Sequence, residues 1–140
     1  MRTTLLAALL MTAAPLAAVA QDRWREADYR DALCAGMEME LTLPDGGGRA
    51  DCSDGVHIIE VDWADNFKEA VGQVIIYSLK SDLIPGLVLI CRRREALCLQ
   101  HGLNAEESMA AFGAESVIWR CGGEARSLSD CLEIRIDAKP

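Results

Sequence analysis

The sequence predicts one small α/β domain that is closed by disulfide bonds. Its first half alternates apolar and polar residues in the manner of strands, two stretches carry the helical period, and six cysteines occur in 140 residues. A helix and three strands precede a second helix and a buried strand, which predicts helices packed on a mixed sheet. Hydrophobic residues at 51% and charged residues at 26% are typical of a folded domain.

The N-terminus has the layout of a secretory signal peptide. Arg2 is followed by an apolar run over residues 5–11, and Ala18-Val19-Ala20 supplies a cleavage site. We therefore expect residues 1–20 to be a signal and 21–140 to be one mature domain, periplasmic or secreted. Beyond the signal, no apolar stretch has the length of a membrane span.

The six cysteines all lie beyond the predicted cleavage site. An even number of cysteines in an exported chain favours disulfides, and zinc spacing is absent because no C-x-x-C occurs. Spacing alone does not select the pairing. We favour Cys34–Cys52, with the other four cysteines pairing among themselves.

The first helix and three strands follow from local pattern. Residues 22–34 lack Gly and Pro, which favours a helix, and residues 37–43 alternate as a half-buried strand does. The Gly-rich turn at 44–48 leads to short strands at 49–52 and 56–62. Three strands with tight turns predict an antiparallel meander.

The second half begins with an amphipathic helix over residues 65–79, whose apolar side chains recur every three to four positions. Pro85-Gly86 is expected to break the chain before a buried strand at 87–90. A short helix capped by Asn104, with His101 in the loop before it, and two strands are then predicted. These three elements span 104–112, 115–121 and 132–136.

Three carboxylates are predicted to converge on the meander. Glu60 and Asp62 point to one side of the third strand because side chains alternate along a strand, and Asp51 lies on the neighbouring strand. Oxygen ligands of this kind suit a hard cation such as Mg²⁺, although solvated carboxylates at strand ends have the same spacing.

These residues, followed by Gln73 and Tyr77 on the next helix, resemble the PD-(D/E)xK nuclease superfamily. The RecB-like branch, with its Q-x-x-x-Y helix after an E-x-K strand, is the nearest likeness, and residues 48–92 also resemble small exported bacterial proteins assigned to that fold. The resemblance implies a restriction-endonuclease-like core in the order αβββαβ. It covers residues 22–91.

The resemblance also implies a metal site for Mg²⁺ or Mn²⁺. By position, Asp51 and Glu60 are the metal ligands, and Gln73 and Tyr77 flank them. The further acidic ligand from upstream stays open among Glu40, Glu38 and Glu26.

One position departs from the superfamily pattern. Asp62 stands where the water-activating Lys belongs, and a carboxylate does not replace an ammonium group. Lys68 is the obvious substitute on the following helix, but at about 100° per residue it lies roughly 140° from Gln73. Three alternatives stay open: the site is active with Asp62 as an additional metal ligand, the site binds metal without hydrolysis, or the protein is a nuclease that has lost its activity.

Charge bears on the function in two ways. The net charge is −8, and −9 without Arg2, which argues against a general nucleic-acid coating protein. The single basic run, starting at Arg92, follows the buried strand and either binds phosphates or is solvated. His57 is expected on the strand face opposite Glu60.

Two functions therefore stay open at this point. The first is an exported Mg²⁺-dependent phosphodiesterase that acts on nucleic acid. The second is a catalytically degenerate nuclease fold that serves as a periplasmic or secreted binding or structural protein. The sequence does not tell whether the protein has a protein partner.

Overall fold

The computed structural model describes residues 24–92 and 94–140. The predicted signal peptide lies outside these residues. These residues form nine helices and strands, with short 3-10 turns at Ala64–Asn66 and Leu128–Asp130. In chain order they are α1 (Glu26–Leu33), β1 (Glu38–Thr42), β2 (Arg49–Ser53), β3 (His57–Trp63), α2 (Phe67–Ser81), β4 (Ile84–Cys91), α3 (Glu95–Phe112), β5 (Ser116–Gly122) and β6 (Leu132–Ile136).

The strands form one six-stranded mixed sheet in the order β1-β2-β3-β4-β5-β6. The pairs β1–β2 and β2–β3 are antiparallel, which confirms the predicted meander. The pairs β3–β4 and β4–β5 are parallel, because α2 and α3 carry the chain back across the sheet, and β6 returns antiparallel to β5. The chain is thus a mixed α/β protein.

Helices cover both faces of this sheet. The α1 helix packs through Tyr29 and Leu33 on the face that carries Ile59 and Val61 of β3. The α2 and α3 helices cover the other face, where their apolar stripes enclose Leu87 and other side chains of β4 and β5. Alternation along β3 therefore directs Glu60 and Asp62 toward the α2 face and Val61 toward the α1 face.

Three disulfides close the fold: Cys34–Cys52, Cys91–Cys98 and Cys121–Cys131. The predicted Cys34–Cys52 bond is confirmed, and the other four cysteines do pair among themselves. Disulfides of this density indicate an oxidising environment. Within the residues that the structure describes, no helix has the length and apolarity to cross a bilayer.

Two predicted boundaries are wrong. Pro85 and Gly86 lie inside β4, where Gly86 leaves room for Ile59 and the Trp119 ring, each 3.1 Å from where a Cβ would stand. The third helix begins at Glu95 rather than at Asn104, so His101 is helical rather than in a loop. Local breaker rules failed here because Pro85 is only the second residue of β4, and because Gly102 lies in α3 against the Arg120 side chain, where there is no room for a Cβ.

Candidate carboxylate site

The site forms where β2 and β3 diverge. Their ladder consists of two pairs, Cys52↔Ile59 and Ser53↔Ile58. Past these pairs, an Asp51 carboxylate oxygen accepts a hydrogen bond from the Val61 N–H at 2.8 Å. A side chain therefore takes the place of a ladder partner, and the gap between the strands lets groups from both faces of the sheet approach one another.

Glu60 is the most perturbed group of the site. It is 9% exposed, and its Oε2 is buried with no hydrogen-bond partner among the described residues. Burial, followed by the neighbouring negative charges of Asp51 and Asp62, raises the pKa of Glu60 to about 9. The Glu60 carboxyl consequently holds a proton at neutral pH in the absence of a cation.

Asp62 is also buried, and the chain around it fixes its orientation. Its Oδ1 accepts hydrogen bonds from the Trp63 N–H at 2.6 Å and from Asn66 Nδ2 at 3.0 Å. The Glu26 carboxyl of α1 lies within hydrogen-bonding reach of Asp62. Burial, together with Asp62 and Asp51, raises the pKa of Glu26 to about 7. Glu26 thus joins the site from the helix on the other face.

Asp51 experiences opposing influences. Burial raises its pKa, while the Val61 N–H and the Arg30 guanidinium lower it, and the net shift is upward. Arg30 lies one helical turn beyond Glu26, and it also contacts Glu40 at 3.4 Å. Arg30 is therefore a cation at the rim of the carboxylates. Glu40 remains at the periphery, about half exposed on β1 with a left-handed φ of 53°.

The α2 helix closes the site with one stripe of side chains. Glu69 and Tyr77 both interact electrostatically with Glu60, and half-buried Gln73 lies between them on the same helical face. Burial, followed by the charges of Glu60 and Asp51, raises the pKa of Tyr77 to about 12. The exposed Lys68 lies off this stripe, as the helical angle predicts.

Arg92 marks the other rim. Its guanidinium stacks 4.3 Å from the centre of the Trp63 ring and lies 3.4 Å from Asp65. Its charge also lowers the pKa of Glu26. The arginine run that the sequence singled out thus begins beside the carboxylates, although the side chain of Arg93 is outside the described part.

The donor groups fit a hard divalent cation in their chemistry. Carboxylates from α1, β2 and β3 face one another, and the buried Glu60 Oε2 is an oxygen donor without a partner. These groups are not arranged as a finished coordination sphere: in residues 24–92 and 94–140, no three His, Cys, Asp or Glu side chains are positioned to hold one metal ion.

Fold and site together define a disulfide-bonded mixed α/β protein with a buried carboxylate cluster at a strand fork. Comparison with protein-family models, with curated proteins and with solved structures gives no match for this chain.

Sequence reasoning left Arg30 and Glu69 out of the candidate site. Both had a usable signal, because Arg30 is four residues after Glu26 on α1 and Glu69 is four residues before Gln73 on α2. Residues four apart share a helical face, so the inclusion of one partner implied the other. Glu38, which the sequence offered beside Glu40, is exposed on the edge strand β1.

Proposed function

We propose that this protein is an exported nuclease of the PD-(D/E)xK type that hydrolyses phosphodiester bonds of nucleic acid with Mg²⁺ or Mn²⁺. The observation that carries the proposal is Glu60, a buried carboxylate with an unpartnered oxygen among like charges. Folding does not gain from such an arrangement, because an uncompensated buried acid is costly. A bound cation would remove that cost.

The topology supports the same proposal. One helix, a three-stranded meander, a crossover helix and a parallel strand follow in the order that the superfamily core uses. Asp51 and Glu60 lie on the second and third strands of this unit, at the fork between them. The three disulfides and the signal-like N-terminus support export to the periplasm or beyond.

Asp51 and Glu60 would hold the cation, with Asp62 and Glu26 beside them. A bound divalent cation supplies a polarised phosphoryl oxygen and a water of lowered pKa. The Glu60 carboxyl holds a proton in the free protein and would release it when a cation binds there. Arg30 and Arg92 would offset the charge of the phosphodiester from the two rims.

Cation binding without hydrolysis is the second candidate. It is favoured by Asp62, which occupies the usual Lys position, and by Lys68, which projects from another face of α2. Arg30 stabilises negative charge but does not deprotonate to activate a water. Under this candidate the chain is a binding or structural protein with the metal site retained.

The test is metal-dependent cleavage by purified, oxidised protein. Labelled single- and double-stranded DNA and RNA would be incubated with Mg²⁺ or Mn²⁺, using wild type, Asp51→Asn and Glu60→Gln. Asp45→Asn is the matched control, because its side chain is 84% exposed in the β1–β2 turn. We expect cleavage that falls at least about 100-fold in both site variants and is unchanged in the control.

Three results separate the candidates. Cleavage that depends on Asp51 and Glu60 supports the nuclease. Calorimetric binding of Mn²⁺ that depends on the same residues, without cleavage of any substrate, supports the second candidate. Cleavage that survives in both variants identifies a contaminating nuclease, and the absence of metal binding at millimolar concentration contradicts both candidates.

A further inference from the structure

A row of three aromatic side chains with an arginine at each end lies beside the carboxylate site. We call it the arginine–aromatic row, and its members in spatial order are Arg126, Trp24, Tyr29, Trp63 and Arg92. Each guanidinium caps one end, with Arg126 Cζ 3.6 Å from the centre of the Trp24 ring and Arg92 Cζ 4.3 Å from that of Trp63. The three rings meet edge to face, with centroids 5.2 and 5.5 Å apart.

The centre of the row is anchored in the fold. Tyr29 is buried, and its hydroxyl donates a hydrogen bond to the Gly123 carbonyl at 2.6 Å. Arg126 donates to the same carbonyl at 3.1 Å. These bonds hold the row in place before any ligand binds, so little side-chain entropy remains to be lost.

The ends of the row face solvent. Arg92 and Arg126 are exposed, and Trp24 and Trp63 are half-buried beneath them. Core packing explains why the rings contact each other, but it does not require two guanidinium planes stacked on their outer sides. Planar cations over aromatic rings are the groups on which nucleobases stack.

The row adjoins the carboxylate site directly. Trp63 and Tyr29 pack on the α1 face of the sheet, from which Glu26 reaches the site, and Tyr29 is three residues beyond Glu26 in α1. Arg92 belongs to both features, since it stacks on Trp63 and acts electrostatically on Glu26. A chain that lies along the row therefore brings its backbone to the carboxylates.

We propose that the arginine–aromatic row binds the unstacked bases of single-stranded nucleic acid and presents the adjoining phosphodiester to the carboxylate site. The inference rests on the proposed function and names its substrate class. In a duplex the bases are stacked and paired, so their faces are closed to the row, whereas single strands expose every base. Stacking on aromatic groups is tolerant of sequence, which fits a protein without a base-reading groove.

The acidic net charge does not oppose this proposal. At physiological salt the screening length is about 8 Å, so exposed carboxylates farther away contribute little at the row. Two further arginines, Arg25 and Arg94, lie within two residues of Trp24 and Arg92 along the chain. Asp65 and Asp28 offset part of the positive charge through contacts of 3.4 Å with Arg92 and Arg25.

The experiment measures binding without hydrolysis. Full-length oxidised protein in EDTA would be titrated with labelled dT and rU homopolymers of about 20 nucleotides, with a duplex of the same length, and with heparin as a polyanion lacking bases. Tryptophan fluorescence reports stacking on Trp24 and Trp63. We expect saturable quenching by both single strands, about tenfold weaker binding of the duplex, and no quenching by heparin.

Arginine variants locate the surface. Arg92→Ala and Arg126→Ala are each expected to weaken single-strand binding about tenfold, which is the loss of one base stack. Arg135→Ala removes the same charge from an exposed arginine on β6 and should change affinity less than twofold. Arg92→Lys keeps the charge but loses the plane, so it should behave like Arg92→Ala rather than like wild type.

Several outcomes would overturn the row as a binding surface. The first is equal affinity for duplex and single strand, and the second is a loss of single-strand affinity in Arg135→Ala as large as in Arg92→Ala. The others are wild-type affinity in Arg92→Lys, or no single-strand binding at micromolar protein. Failure of the nuclease proposal is separate. If single strands bind through the row but no metal-dependent cleavage occurs, the proposed binding surface is supported and the proposed nuclease activity is contradicted.

Discussion

Two glutamates of this protein, the half-buried Glu106 and the buried Glu60, differ in their neighbours. Glu106 of α3 has its Oε1 3.7 Å from Arg120 Nε on β5, and both side chains are about one quarter exposed. Glu60 of β3 is buried among carboxylates, with Asp51, Asp62, Glu26 and Glu69 all acting to raise its pKa. Glu106 therefore has an opposite charge beside it, whereas the charges that most affect Glu60 are like charges.

The difference separates a structural acid from a candidate ligand. The Glu106–Arg120 pair sets a positive charge against a negative one within the fold, although Glu106 Oε1 and Arg120 Nε make no hydrogen bond in the described residues. A group of buried carboxylates lowers its own free energy only by taking up protons or a cation. The location agrees, since Glu60 lies at a strand fork while Glu106 contacts a continuous strand.

The largest effect should come from separating the elements that gather the carboxylates. Cys34–Cys52 ties the end of α1 to β2, one residue from Asp51. Replacing both cysteines by serine should cost about 3 kcal/mol of unfolding free energy, as expected for a loop of this length. Urea denaturation measures the loss, and Mn²⁺ affinity should fall because Glu26 and Asp51 are no longer held together.

A control pair keeps this prediction specific. Cys91–Cys98 closes a shorter loop away from β2, so its serine variant should lose less stability and leave the contact of α1 with β2 intact. Equal loss of Mn²⁺ affinity in both variants would contradict the role of Cys34–Cys52 at the site.

Replacing each of the two glutamates by glutamine should change the free energy of unfolding in opposite directions. Glu60→Gln removes an acid whose charged form is disfavoured, so at pH 8 it should stabilise the protein by roughly 2 kcal/mol. Glu106→Gln removes the partner of Arg120 and should destabilise it by about 1 kcal/mol. Chemical denaturation of both variants in metal-free buffer measures whether each change in unfolding free energy is positive or negative. The same sign in both would remove the distinction between the two acids.

Stability should fall with rising pH over a defined window. The raised pKa values mean that the folded state binds more protons than the unfolded state between the ordinary value of 4.5 and about 7 for Glu26, and up to about 9 for Glu60. The stability from these protonated groups is complete below pH 4.5 and is lost as pH rises through the folded-state values. Denaturation midpoints at pH 5, 7 and 9 measure the decline.

Glu60→Gln provides the control for that decline, which should be shallower in the variant, above all between pH 7 and 9. A decline that is identical in wild type and variant would assign it to groups other than Glu60.

The smallest effect is expected at an exposed acid. Asp45 lies 4.0 Å from Lys80 and is largely solvated. Asp45→Asn should therefore change unfolding free energy by less than about 0.5 kcal/mol, and equally at every pH between 5 and 9. A shift comparable with that of Glu60→Gln would show that net charge, rather than burial, controls the response.

The sequence anticipated the parts of this molecule that depend on local period. The meander, the α2 stripe and the orientation of Glu60 away from His57 follow from side-chain alternation and helical angle. The His57 ring does contact Trp119 edge to face on the α1 face of the sheet. The sequence did not anticipate that β4 includes Pro85 or that α3 includes Gly102. Both features depend on packing against residues that are distant in sequence.

Gly102 illustrates the limit. A Cβ at this position would stand 2.5 Å from the Arg120 side chain, so the glycine lets α3 lie close to β5. In isolation the same residue predicts a break. The sequence likewise does not predict how α1 contributes to the site. Glu26 and Arg30 approach the carboxylates of β2 and β3 through the opening between these two strands.

The most direct test of the account is the proton balance of metal binding. Calorimetric titration of Mn²⁺ at pH 7.5, in two buffers of different ionisation enthalpy, gives the number of protons released for each ion bound. Because Glu60 must lose its proton to bind a cation, we expect about one proton per ion for wild type and nearly none for Glu60→Gln. Binding without proton release in wild type, or equal release in the variant, would contradict the assignment of Glu60 as the central ligand.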